Sequence, residues 1–126
     1  MEKQQNPAKI HYLHIRRHLD GVLQPSGGIT LAVIKDSERA FVQITHARCS
    51  KKDVFCKKTG RSISYVRMES AKARHIMLTC SEFASFMKRV CSRYHAPYPE
   101  KGVDFVLKNK PVSDMQISMK LEEQHG

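Results

Sequence analysis

Two adjacent β-rich segments constrain the fold of this chain most. They span residues 29–35 and 40–48, and in the second segment alternate residues such as Val42 and Ile44 share one side. A period of two is typical of a strand with one buried face. The polar residues 36–39 between the segments have the length of a hairpin connection, so we predict an antiparallel hairpin here.

A helix is predicted closer to the C-terminus. Thr79 and Glu82 have the spacing of a capping box, which marks a helix start. Apolar residues then recur at the i, i+3, i+4, i+7 spacing of a core-facing helix side. These residues are Phe83, Phe86, Met87, Val90, Cys91 and Tyr94. Pro97 and Pro99 are expected to end the helix.

Three further segments alternate with a strand-like period. Residues 10–23 fit either a strand or one helix side, and the turn signal of Asp20 and Gly21 favours a strand that ends there. Residues 103–107 and 115–121 alternate again and predict two more strands. Because an isolated hairpin is only marginally stable, these two strands should join the main sheet or pair across a homodimer.

Together these elements predict an α+β fold, with an antiparallel sheet of about four or five strands packed against two helices. The chain has 126 residues, which is an ordinary length for one domain. We expect a disordered N-terminal tail over residues 1–9, a single domain over residues 10–122 and a C-terminal tail over residues 123–126. Residues 25–28 are predicted to form a loop.

Residues 50–74 carry an unusual density of positive charge. They contain eight lysines and arginines against two acidic residues, within a chain whose net charge is +10. Ser50 followed by Asp53 resembles an N-cap with an acidic first turn, so we predict a helix that begins at Ser50. Its apolar side would present Phe55, Ile63 and Val66 to the sheet.

The cations of this segment fall mainly on one side of the predicted helix. Lysines and arginines spaced in this way can neutralise neighbouring phosphates. The predicted ligand-binding residues are Lys57, Lys58, Arg61, Arg67 and Lys72. Gly60 interrupts the helix at a cost of about 1 kcal/mol relative to alanine, which indicates close approach of another group.

Composition and spacing argue against several other functional classes. No apolar run is long enough for a transmembrane helix, and the polar N-terminus is unlike a secretory signal. We therefore expect a cytoplasmic protein without a membrane partner, whose four cysteines are free thiols.

Histidines and cysteines form two weak ligand-like groups. The first contains His11, His14 and His18, and the second contains His46, Cys49 and Cys56. A structural zinc site requires four ligands in tight pairs, so we predict no metal and no other cofactor. The chain has no Walker, G-x-S-x-G or H-E-x-x-H motif, and we predict that it is not an enzyme.

The sequence CSKKDVFCKKTGR, residues 49–61, resembles a stretch of small bacteriophage-encoded accessory proteins. In those proteins the second strand of a hairpin ends in a cysteine. An acidic residue, an aromatic residue, a basic pair and Gly-Arg then open a helix. The resemblance covers about residues 28–68. It implies a phage or mobile-element origin and a role in inhibiting a host defence.

The leading hypothesis combines the charge pattern with this resemblance. It is a non-enzymatic phage-type protein in the host cytoplasm that binds a phosphate-bearing ligand and counters a host defence system. The partner would be a nucleotide signal, a nucleic-acid-bearing complex or a defence protein. One alternative is a DNA- or RNA-binding regulator that uses the same helix. A second is a small cysteine- or metal-dependent enzyme.

Overall fold

A computed structural model describes residues 10–36 and 41–108. The elements, in chain order, are β1 (His11–Leu19), β2 (Val22–Asp36), β3 (Phe41–Val54), α1 (Lys57–Glu69), β4 (Ile76–Thr79), α2 (Cys80–Arg93) and α3 (Glu100–Lys108). The strands form one sheet in the order β1-β2-β3-β4, and every neighbouring pair is antiparallel. The predicted α+β class is confirmed, and the described part of the chain has four strands and three helices.

The predicted end of the first strand at Asp20 and Gly21 is confirmed. Asp20 and Gly21 have φ angles of 52° and 79°, which match the two left-handed positions of a type I′ hairpin turn. This turn suits the right-handed twist of the strands and joins β1 directly to β2. The hairpin predicted from residues 29–35 and 40–48 is also present as β2 and β3.

The loop predicted over residues 25–28 is instead part of β2. Register shifts interrupt the pairing of β2 with both neighbours at this point, between Ser26 and Gly28 on one side and between Arg16 and His18 on the other. Gly28 has φ 139°, and a Cβ there would lie 2.6 Å from the Ile15 carbonyl oxygen. The glycines therefore allow a β-bulge, and no strand break is needed.

One face of the sheet is covered by α2 and α3 through an apolar core. The buried residues of this core are Leu13, Ile15, Ile29, Leu31, Val33, Val42, Ile44, Phe83, Met87, Cys91, Val103 and Val106. The capping box at the start of α2 is present, because the Thr79 hydroxyl accepts from the Glu82 N–H and the Glu82 carboxylate accepts from the Thr79 N–H. The predicted apolar side of α2 is confirmed.

The other face of the sheet is covered by α1, which packs through small and polar residues. A Cβ at Gly60 would overlap the Thr30 hydroxyl and lie 2.8 Å from the Thr30 Cβ. Thr45 donates its hydroxyl to the Ser64 carbonyl oxygen at 2.8 Å, and the Ser64 hydroxyl donates to the Gly60 carbonyl oxygen at 2.7 Å. The close approach predicted from Gly60 is thus an approach to β2.

The helix predicted to begin at Ser50 begins at Lys57. The preceding residues extend β3 to Val54, and the Phe55 N–H donates to the Pro25 carbonyl oxygen at 2.9 Å. The long bulged β2 provides the pairing partner that holds this segment extended. Local capping signals could not reveal that partner.

The predicted apolar side of this helix is also wrong. Ile63 and Val66 are 39% and 64% exposed, and Phe55 lies before the helix. The buried residues of α1 are Gly60, Ser64 and Met68. Close backbone packing against Thr30 selects this small-residue side in place of the more apolar one.

The strand predicted over residues 103–107 is the helix α3, in which Val103 and Val106 are buried one turn apart. The Lys35 ammonium donates to the Leu107 carbonyl oxygen and ties the end of this helix to β2. The predictions for residues 1–9, 115–121 and 123–126 lie outside the described residues. Within the described residues, no helix has the length and hydropathy to cross a membrane.

Candidate anion-binding site

The structure separates the five predicted ligand-binding residues into distinct positions. Lys57, Lys58 and Arg61 are exposed on the first half of α1. Arg67 is exposed on the other flank of the buried residues of α1, and its Nη1 donates to the His46 carbonyl oxygen of β3 at 2.7 Å. Lys72 is exposed and follows the end of α1.

Helix geometry explains this separation. At 100° per residue, Arg61 and Arg67 lie about 120° apart, with the buried Ser64 between them. Lys57 and Arg61 are one turn apart and face the same edge of the helix. We therefore define the α1 cation cluster as Lys57, Lys58 and Arg61.

His14 of β1 lies beside the α1 cation cluster. Burial, and secondarily the positive charges of Lys57 and Arg61, lower the pKa of its imidazole to about 4. Its Nδ1 is hydrogen-bonded to the Thr30 hydroxyl at 2.9 Å. The ring is therefore neutral at pH 7, and the positive charges of Lys57 and Arg61 act on the half-buried His14 imidazole.

Two tyrosines adjoin the same cluster. Burial raises the pKa of Tyr12 on β1, nearby Tyr65 on α1 also raises it, and the Arg61 charge acts in the opposite direction. Tyr65 is 46% exposed. Aromatic rings beside cations provide the stacking and charge that nucleotide units require. The sequence prediction missed this pairing because Tyr12 is distant in the chain.

Phe55 connects the cluster to the edge of the sheet. Its ring packs edge-on against the His14 ring at 5.9 Å, and the Arg16 guanidinium carbon lies 5.4 Å from its centre. Arg16 Nη2 also donates to the Gln24 carbonyl oxygen at 3.2 Å. These contacts fix the segment that leads into α1 and so position Lys57 and Lys58.

A cavity of about 260 Å³ lies at the N-terminus of α1, and both Cys49 and Cys56 line it. Interactions with the Thr59 hydroxyl and backbone, and then with Lys58, lower the pKa of the exposed Cys56 thiol. The Cys49 thiol donates to the Asp53 carbonyl oxygen at 3.4 Å. The described residues contain no group of three or more His, Cys, Asp or Glu side chains that could hold a metal ion.

Searches with this chain against protein-family models, curated proteins and solved structures gave no significant match.

Proposed function

We propose that this protein binds a phosphate-bearing ligand, without catalysis, through Lys57, Lys58 and Arg61 of α1. The observation that carries the proposal is the grouping of these three cations within the first five residues of α1. All three cations are exposed. They can therefore approach a ligand while Gly60, Ser64 and Met68 remain packed on the sheet.

A nucleotide unit is the ligand class that this surface fits best. Lysine and arginine neutralise its phosphate, and Arg61 offers several N–H donors in a planar fork. Tyr65 next to Arg61 provides an exposed ring on which a base can stack. A carboxylate ligand would use the cations but not the ring.

A DNA- or RNA-binding role is the second candidate, and the separation of Arg67 and Lys72 from the α1 cation cluster favours it. A single nucleotide would occupy the cluster alone. A polynucleotide is long enough to contact the cluster on one flank of α1, Arg67 on the other flank and Lys72 beyond the end of the helix. Polymer binding would also weaken steeply with salt, in proportion to the phosphates neutralised.

The test is a charge reversal of the cluster. Lys57→Glu combined with Arg61→Glu should weaken binding of a fluorescent single-stranded oligonucleotide at least about tenfold, because two charge-assisted contacts are lost. The matched control is Arg89→Glu with Lys101→Glu, two exposed cations on α2 and α3 that carry the same charge change. Equal weakening by both variants, with both still folded by circular dichroism, would refute the assignment to α1.

The resemblance to phage accessory proteins supports a biological role for this binding. We infer that ligand capture inhibits a host defence that depends on a nucleotide signal or on a nucleic-acid complex. Phage yield on a defended host should then rise when this chain is expressed and should stay low with the Lys57→Glu/Arg61→Glu variant. If the Lys57→Glu/Arg61→Glu variant raises phage yield as much as the natural chain does, the inhibition of host defence does not depend on anion binding by α1.

A further inference from the structure

A second cavity, of about 430 Å³, lies between one end of the sheet and the C-terminus of α2. It is enclosed by the end of β1, the bulge of β2, the middle of β3 and the C-terminus of α2. Arg48 reaches it from the sheet face that carries the apolar core, since its register partner Ile29 belongs to that core. The volume is within the ordinary range of about 300–1,000 Å³ for small-ligand sites.

The walls of this cavity are strongly cationic. Four permanent cations and two histidines line it, namely Arg17, Arg48, Lys51, Arg93, His18 and His95. None of the described residues that line it is acidic. These side chains come from three strands and a helix, so no local sequence pattern brings them together.

Arg17 is held in position before any ligand arrives. Its Nε donates to the Ser26 carbonyl oxygen at 3.1 Å and its Nη2 donates to the Ser26 hydroxyl at 3.4 Å. Gly27, with φ 84°, leaves room for this guanidinium, because a Cβ there would lie 2.9 Å from the Arg17 Nε. The remaining N–H groups of Arg17 can then serve an anion at little further entropic cost.

The His18 ring and the His95 backbone are also held by hydrogen bonds. His18 donates from Nδ1 to the Arg16 carbonyl oxygen at 3.0 Å, which leaves Nε2 as the nitrogen available to a ligand. His95 has φ 54° and occupies the left-handed position after α2, where glycine is the usual residue. Histidine is among the non-glycine residues that adopt this conformation more often than others.

The negative end of the α2 dipole does not oppose an anion strongly here. The Ala96 and Tyr94 N–H groups both donate to the Cys91 carbonyl oxygen, and the His95 N–H donates to the Ser92 carbonyl oxygen. The Tyr94 carbonyl oxygen accepts from the His18 N–H at 2.9 Å. Most of the terminal carbonyls are thus already satisfied, and Arg93 adds a positive charge at the same end.

From this geometry we propose that the cavity binds a phosphate monoester, held by Arg17, Arg48, Arg93 and His95. A monoester carries close to two negative charges and three acceptor oxygens, which suits several converging cations better than a singly charged carboxylate does. The same group occurs on a free nucleoside monophosphate and at the 5′ end of a nucleic acid. The site is distinct from the α1 cation cluster, since none of Lys57, Lys58 and Arg61 lines it, although Arg48 and Cys49 also line the cavity at the N-terminus of α1.

Isothermal titration calorimetry of the Lys57→Glu/Arg61→Glu variant with adenosine 5′-monophosphate, in buffer without phosphate, tests this proposal without nucleotide binding at the α1 cation cluster. The substitutions below are made in this background. We expect binding of the monophosphate and none of adenosine at the same concentration. Arg48→Ala with Arg93→Ala should weaken monophosphate binding at least about tenfold, because each removes a charge-assisted contact. The control Arg89→Ala with Lys101→Ala, outside the cavity, should change the affinity less than about twofold.

Several results would overturn the proposal. They are the absence of monophosphate binding, equal affinity for adenosine, and equal weakening by the control variant. If the double arginine variant fails to fold, His95→Gly carries the test, because glycine is favoured at that left-handed position. This variant should remain folded and bind the monophosphate more weakly, and an unchanged affinity would contradict the proposal.

The source of the phosphate is resolved in the Lys57→Glu/Arg61→Glu background. Binding of adenosine 5′-monophosphate that persists in this background is assigned to the cavity and not to the α1 cation cluster. A 5′-phosphorylated oligonucleotide that binds more tightly than its 5′-hydroxyl counterpart would assign the cavity to a nucleic-acid end. Equal binding of the two oligonucleotides, with monophosphate binding retained, would assign it to a free phosphorylated ligand.

Discussion

The two helical layers of this protein are held to the same sheet by different means. On one face, α2 and α3 bury large apolar side chains such as Phe83, Met87 and Val106. On the other face, α1 approaches the sheet through Gly60 and Ser64, with hydrogen bonds to the strands. The layer of α2 and α3, here called the apolar layer, is stabilised by burial of apolar surface. The layer of α1, here called the polar layer, is stabilised by close approach and polar contacts.

This difference explains what each layer can present to solvent. The side of α2 that carries the apolar stripe is committed to the core. Because α1 contacts the sheet through small side chains, its longer residues are directed outward, and Tyr65 and Val66 are exposed together with Lys57 and Arg61. A helix packed in this way can carry a binding surface along most of its circumference.

The largest change in stability is expected when an aromatic ring is removed from the apolar layer. Phe83→Ala should lower the free energy of unfolding by about 3–5 kcal/mol, since Phe83 is fully buried and its loss leaves a cavity. The matched change in the other layer, Val66→Ala, should alter stability by less than about 0.5 kcal/mol because Val66 is exposed. Urea denaturation measures both, and similar losses would show that α1 packs differently from this account.

A smaller effect is expected from filling the closest contact of the polar layer. Gly60→Ala should destabilise the fold by about 1–3 kcal/mol, because the new methyl group overlaps Thr30 and displaces α1. Gly102→Ala in α3 is the control, since its Cβ would meet the end of the Leu13 side chain at 2.9 Å and make only ordinary contact with Pro99 at 4.0 Å. That change should stay within about 1 kcal/mol of neutral. A stabilised Gly60→Ala variant would contradict the close packing of α1.

The smallest effect concerns pH. The unfolded imidazole of His14 titrates near 6.5 and the folded one near 4, so the unfolded state binds more protons in this interval. Stability should therefore be full above about pH 6.5 and fall as the pH drops towards 4. Screening of the half-buried ring limits the loss to about 1 kcal/mol.

His14→Gln should make this pH dependence of stability shallower, with a residual slope from His46, whose pKa burial also lowers.

Hydrogen exchange tests whether the loss of stability is local to α1. Amides of α1 should lose protection on acidification before those of α2, because His14 lies against α1. Uniform loss of protection in both helices would argue against a local effect.

Sequence patterns predicted α2 well, but they did not predict α3 or the packing side of α1. The stripe from Phe83 to Tyr94 identified α2 because apolar residues dominate its packing. In α1 the buried positions are glycine, serine and methionine, so hydrophobic periodicity selected Ile63 and Val66, which are exposed. Alternation over residues 103–107 similarly suggested a strand where α3 forms.

The candidate sites show the same division. Charge density in the sequence identified Lys57, Lys58 and Arg61, which share one exposed region of α1. Their neighbours Tyr12 and His14 come from β1, and only the sheet register brings them near. The cationic cavity at the C-terminus of α2 was missed because its residues are spread over residues 17–95.

The salt dependence of oligonucleotide binding tests the central claim most directly. Affinity of the natural chain for a 5′-hydroxyl single strand, measured by fluorescence anisotropy, should fall with a log–log slope near −2, from about three phosphates at about 0.7 each. The Lys57→Glu/Arg61→Glu variant should bind weakly and with a shallower slope. Absence of binding by the natural chain at about 50 mM salt, or an unchanged slope in the variant, would contradict the assignment of phosphate binding to α1.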